Sequence, residues 1–220
     1  MKKFLRLLLI CSSALLFFAS CSSVRTKGYS RQAISEHQFT PVFQEAFKKA
    51  LYEVDIAYGK KNISGVAVIK KMEANQSFRM VLISETGLKF FDFEFFQNDS
   101  SVVHYVMDAM NRKKIIRTFT TDLGLIAKQN PDQKTVTNYV ADNPATGYIV
   151  KEKRQGRSYF YFEEKGKQPT KIRRKAFLSP GTEVEISYNQ EGIPAKIDFT
   201  HGIIDLVMEF KLINQQNDRK

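Results

Sequence analysis

The chain has 220 residues, with 34 Lys and Arg against 23 Asp and Glu, a formal charge of +11 at neutral pH. Its two cysteines, Cys11 and Cys21, sit near the N-terminus, and its three histidines, His37, His104 and His201, show no metal-binding spacing. That pattern speaks against a disulfide scaffold and against a metal site. No GxSxG, GxGxxG or P-loop run occurs, so neither a catalytic residue nor a cofactor is expected and the chain reads as a non-enzyme.

Lys2, Lys3 and Arg6 form a basic head, Leu7 to Phe18 an almost unbroken apolar run, and Ala19 and Ser20 a small pair before Cys21. This is the layout of a secretory signal peptide over residues 1–20. Phe18-Ala19-Ser20-Cys21 resembles the lipobox of bacterial lipoproteins, with Phe in place of the usual Leu. The resemblance implies cleavage before Cys21 and acylation of its sulfur (a palmitate-type anchor) and of the new N-terminus. A retained single span is the alternative. Cleavage removes three basic residues and no acidic one, so +11 becomes +8 on a mature chain of 200 residues. That length supports one domain with its own core. Ser22 and Ser23 follow the cysteine and no acidic residue precedes Glu36, which leads to the expectation of the periplasmic face of the outer membrane. Residues 21–38 read as the acylated N-terminus and a polar tether, spanning ~20–25 Å as a flexible chain.

Residues 39–213 carry the domain. Thr40-Pro41 reads as a helix start, with Phe43, Ala46, Phe47, Ala50 and Leu51 on one face. From Tyr52 the period becomes two, and Tyr52, Val54, Ile56 and Tyr58 share one side of a strand. Ile63 to Lys71, Ser77 to Ser84, Leu88 to Phe96 and Val102 to Met107 follow as strands. In the richest of them Phe91, Phe93 and Phe95 share one face, and Phe90, Asp92, Glu94 and Phe96 the other. A second helix is expected from Asp108 to the Asn130-Pro131 stop, with Ile115, Ile116, Phe119, Leu123 and Ile126 as its apolar face. Turn residues about every ten positions then mark a meander of short strands. Residues 214–220 are a polar tail expected to fray.

Ten basic residues lie between Lys151 and Lys175. Arg154, Arg157, Lys171, Arg173, Arg174 and Lys175 are the candidate head-group patch. Behind a lipoprotein leader the expected partner is anionic lipid and not nucleic acid. A solvated sheet edge that resists aggregation explains the same charge.

The expected fold class is α+β: a strongly curved, mostly antiparallel half-barrel of about ten strands wrapping one or two helices. Its element order resembles the lipoprotein-localisation (Lol) carrier and receptor superfamily. The residues that carry the resemblance are Asn62-Ile63-Ser64-Gly65-Val66-Ala67-Val68, Ser77 to Ser84, Gly87-Leu88, and Ile193-Pro194-Ala195-Lys196-Ile197. The central strand also resembles those of other lipoproteins of Gram-negative bacteria. The resemblance implies an apolar cavity for acyl chains, here lined by Tyr52, Val54, Ile56, Tyr58, Phe91, Phe93 and Phe95. It also implies a transfer loop at Ser84 to Leu88, with Leu88 as its only apolar tip.

Two functions stand open. One is an anchored monomer that binds lipid or a lipoprotein's acyl chains, in outer-membrane lipoprotein sorting. The other is an envelope interaction module with a filled core that docks a protein or anionic head groups. An enzyme using Asp92 and Glu94 is the weakest third. What separates the first two is whether Phe91, Phe93 and Phe95 meet helix side chains or empty space.

Overall fold

A computed structural model of the chain describes residues 29–32, 40–98, 100–127, 136–141, 146–152, 156–163, 168–176, 179–202 and 205–217. The described strands are β1 (Tyr29–Gln32), β2 (Phe47–Tyr58), β3 (Lys61–Lys71), β4 (Phe78–Ile83), β5 (Lys89–Phe95), β6 (Ser101–Val106), β7 (Val136–Ala141), β8 (Thr146–Glu152), β9 (Gly156–Phe162), β10 (Lys171–Ala176), β11 (Ser179–Tyr188), β12 (Pro194–His201) and β13 (Leu206–Asn217). A 3₁₀ turn at Asp108–Met110 precedes one α-helix, α1 (Lys113–Ala127). All thirteen strands form one sheet in the order β1-β7-β8-β9-β10-β11-β12-β13-β2-β3-β4-β5-β6. Every pairing is antiparallel, and β1 and β6 are the edges. The result is the α+β half-barrel expected from the pattern, with thirteen strands in place of about ten.

Alternation sets the core. One apolar row crosses six strands: Ile172, Val184, Phe199, Met208, Ile56 and Ile63 are successive register partners. A second row is Tyr52, Ala67, Leu82, Phe91, and a third Ala50, Ile69, Met80, Phe93. Nearly all of these are buried, each large side chain contributing ~1.5–3 kcal/mol on leaving water. Gly65 permits a close approach within this sheet: a Cβ there would stand 2.1 Å from the Ile83 carbonyl oxygen.

The expected first helix is absent. Residues 41–46 bend and turn, and β2 begins at Phe47. Five apolar positions at helical spacing also suit a bend that leads into a strand. Here β2 forms ladders with β13 on one side and β3 on the other, satisfying its backbone on both edges and burying Phe47, Ala50 and Tyr52. Val42 and Phe43 close one end of the half-barrel. Phe43 lies 4.5 Å from the Phe47 ring and 5.5 Å from Phe78, and Gln168 Nε2 donates to the carbonyls of Val42 (2.7 Å) and Gly192 (2.8 Å).

The second helix forms, but later than the sequence implied. Asp108 opens the 3₁₀ turn and makes no side-chain cap; α1 starts at Lys113. Phe119, Leu123 and Ile126 are buried as expected, and so are Asp122, Gly124, Leu125 and Ala127. Burial of six consecutive residues, Asp122 to Ala127, places the C-terminal half of the helix within the sheet's concavity, while its start stays exposed. Two further boundaries differ: residues 29–32, inside the expected tether, pair with β7 as β1, and β13 runs to Asn217, into the expected tail.

Candidate functional site

The sheet's alternation brings Phe91, Phe93 and Phe95 onto the concave face, at 2%, 1% and 5% exposure. Phe91 and Phe93 stack with centroids 4.6 Å apart, and Phe95 meets Phe93 edge-on at 6.4 Å. Above them lies α1: Phe119 is 5.7 Å from the Phe91 ring, and Gly124 faces Phe95. Tyr52, Val54 and Ile56 are buried on the same face, and the Tyr52 hydroxyl donates to the Pro194 carbonyl at 2.9 Å. Burial pushes the Tyr52 phenol well above its ordinary pKa. Tyr58 departs from this set; it stands at the end of β2, 48% exposed. Six of the seven expected cavity residues therefore pack in the core.

Two pockets lie near the closed end. One, of about 20 Å³, is lined by Phe43, Phe47 and Ile193 among others. The other, of about 90 Å³, lies between Lys49–Leu51 and Asn214–Gln215. Both fall well short of the ~300–1,000 Å³ of a small-molecule site.

The expected head-group patch divides. Lys171 and Arg173 are on the convex face and bound to acidic neighbours: Lys171 Nζ is 2.6 Å from Glu183 and 3.2 Å from Glu185, and Arg173 Nε 3.0 Å from Glu183. Arg174, one residue on, turns to the concave face between Ser158 and Thr182 and is half-buried. Arg157 and Lys175 are exposed register partners. Arg154 lies outside the described residues, as does Cys21. Leu88 is 52% exposed at the β4–β5 turn.

Asp92 and Glu94, on the other face of β5, are engaged. Arg79 donates to both Asp92 oxygens, at 2.8 and 2.9 Å, and Lys89 adds a third contact at 3.3 Å. Glu94 accepts from Ser77 Oγ at 2.5 Å and Asn75 Nδ2 at 3.1 Å, with His104 Nε2 at 2.8 Å. The Arg79 hydrogen bond holds Asp92 below the usual carboxylate pKa, and the Ser77 hydrogen bond does the same for Glu94. Both carboxylates are thus kept ionised and occupied in cross-strand pairs. Among the described residues no group of three or more His, Cys, Asp or Glu is placed to hold a metal. No described helix is long and apolar enough to cross a membrane.

One polar cluster was not anticipated. Asp122 is 2% exposed on the buried side of α1. Thr182 Oγ1 donates to Asp122 Oδ1 at 2.8 Å, and His201 Nε2 lies 2.7 Å from Oδ2. His201 Nδ1 faces the Leu206 carbonyl at 2.8 Å. A carbonyl only accepts, so Nδ1 carries a proton; an ionised carboxylate opposite Nε2 requires a second one there. Against the burial that lowers it, the Asp122 contact raises the His201 pKa, which favours the imidazolium, and the cluster ties the helix to β11 and β12. The sequence did hold a signal: an aspartate between Phe119 and Leu123 on the apolar stripe of a helix.

These features define a half-barrel α+β domain whose aromatic concave face is covered by its helix. The fold is similar to a crystal structure of a DUF1329 family protein from Desulfovibrio piger ATCC 29098, at 8% sequence identity and a TM-score of 0.46, over 79% of this chain and 87% of that chain. No protein-family model and no curated protein matches the sequence.

Proposed function

We propose that the chain is a membrane-anchored envelope module that acts by docking, on a half-barrel whose core is filled. The single observation that carries this reading is the packing of Phe91, Phe93 and Phe95 against each other and beneath α1. An acyl-chain carrier needs that surface open. Anchorage through acylated Cys21, at the periplasmic face of the outer membrane, is part of the proposal and rests on the leader. The role is binding and not catalysis, since the paired Asp92 and Glu94 leave no carboxylate oxygen on β5 without a partner.

The test combines stability with ligand binding. Phe93→Ala removes a ring that is 1% exposed and should cost ~3–5 kcal/mol in urea unfolding. A fluorescent fatty acid should not bind the wild-type protein. Saturable fatty-acid binding, weakened by Phe93→Ala at nearly unchanged stability, would replace the docking module with a lipid carrier.

A further inference from the structure

Most cations on the convex face are neutralised by acidic neighbours: Arg79 and Lys89 by Asp92, Lys171 and Arg173 by Glu183, and Lys196 and Lys211 by Glu209. Lys49 and Lys70, register partners toward the Val42–Phe43 end, form no such pair with a described residue. The largest group of cations without such a pair among the described residues lies at one end of the half-barrel. The antiparallel order fixes which end this is. The β2–β3 turn, the β4–β5 turn, the start of α1 and the Arg157–Lys175 pair all lie at the end opposite the Val42–Phe43 closure. Arg112, Lys113, Lys114 and Arg117 are exposed at the start of α1, and Lys60 and Lys61 at the β2–β3 turn. None of these six makes a side-chain hydrogen bond or ion pair with another described residue. Arg157 and Lys175 extend the same rim across the sheet. Among the described acidic residues, Glu85, Asp108, Glu152 and Asp205 lie at this end, too few to balance it.

The placement works against the fold's own stability. Cations in the first turn of a helix oppose its dipole, and α1 has no acidic residue there. Exposed apolar side chains share the rim: Tyr58, Tyr105 and Val207, at 48%, 41% and 44% exposure. Lys89 Nζ lies 5.6 Å from the centre of the Tyr105 ring. Exposed cations beside tyrosines and an aliphatic side chain match the head-group layer of a bilayer, where phosphates meet the cations and amphipathic rings sit at the interface. A nucleic-acid or acidic-protein partner would account for the charge but not for apolar side chains at the rim.

We infer that this rim is a docking face for a bilayer surface bearing anionic head groups, so that the half-barrel stands on the membrane by its open end. This rests on the docking-module reading and names its partner. The acylated full chain would be reconstituted on vesicles of neutral phosphatidylcholine, or of the same lipid with ~30% phosphatidylglycerol, and followed by amide hydrogen exchange. On anionic vesicles the segments 58–61, 84–89 and 105–117 should slow at least several-fold, while 96–100 and 189–193 at the opposite end do not change. High salt should abolish the effect. A variant combining Arg112→Glu, Lys113→Glu, Lys114→Glu and Arg117→Glu should lose the protection yet stay on the vesicles through its anchor. If it fails to fold, Lys60→Glu with Lys61→Glu on the turn serves in its place. Equal exchange on both vesicle types, protection at the opposite end, or the same protection by heparin on neutral vesicles would each overturn the bilayer assignment. Failure of the parent reading appears differently, as fatty-acid binding by the core or as protein released from every vesicle.

Discussion

Asp122→Asn changes one atom of the buried pair and inverts its proton requirement. In the wild type, His201 needs both ring protons to serve Leu206 and Asp122. Burial alone would push its pKa down; the Asp122 hydrogen bond and charge outweigh this and hold it above the ordinary 6.5. A histidine raised in the folded state contributes stability that is fully present below ~6.5 and is lost as pH rises through the folded pKa. For one proton the slope is at most ~1.4 kcal/mol per pH unit, over the interval between the ordinary 6.5 and the raised folded value. An Asn at 122 still accepts from Thr182, but it offers an N–H to Nε2, which must now be unprotonated. The variant should therefore lose stability as pH falls below ~6.5, the opposite sign. At pH 6 the variant must therefore keep the buried ring neutral against the solvent's tendency to protonate it, and should be less stable there than the wild type. Urea unfolding at half-unit steps from pH 6 to 8 measures both slopes. Slopes of the same sign for wild type and variant would refute the imidazolium assignment.

Gly65→Ala forces a Cβ onto the Ile83 carbonyl and should destabilise by ~1–3 kcal/mol, with hydrogen exchange at β3 and β4 accelerating before the rest of the sheet. Cys21→Ser should leave an uncut precursor in whole-cell immunoblots; normal processing and membrane retention would remove the anchor. The Phe93→Ala and vesicle experiments test the core and the rim.

The sheet was readable because alternation is a short-range signal. The face shared by Phe91, Phe93 and Phe95, and the strand from Tyr52 to Tyr58, follow from period two alone. The segment from Phe43 to Leu51 was ambiguous: its spacing fits a helix, and only the ladders to β3 and β13 decide for a strand. Whether the phenylalanine face was open or covered could not be read, because the covering helix lies on the far side of β6 in sequence and its seating depends on tertiary packing. The Asp122–His201 contact joins residues 79 positions apart, beyond any local pattern. The division of the head-group patch has a simpler reason. Neighbours such as Arg173 and Arg174 point to opposite faces, and Glu183 and Glu185 arrive from the next strand.

The position of β13 bears on how the molecule comes into being. The last strand pairs with β12 on one side and β2 on the other, with Tyr52 opposite Leu212. The earliest long strand and the final one thus meet in the interior of the sheet, not at an edge. Until the C-terminus is available, β2–β6 and β7–β12 are two separate meanders, and the apolar row through Ile56 and Met208 is cut in half. Closure of so long a loop places this domain among slow folders. A chain still emerging from a ribosome or a translocation channel holds no complete core. Trimming the end at residue 206 would split the sheet through its centre, whereas loss of β1 would only shorten one margin.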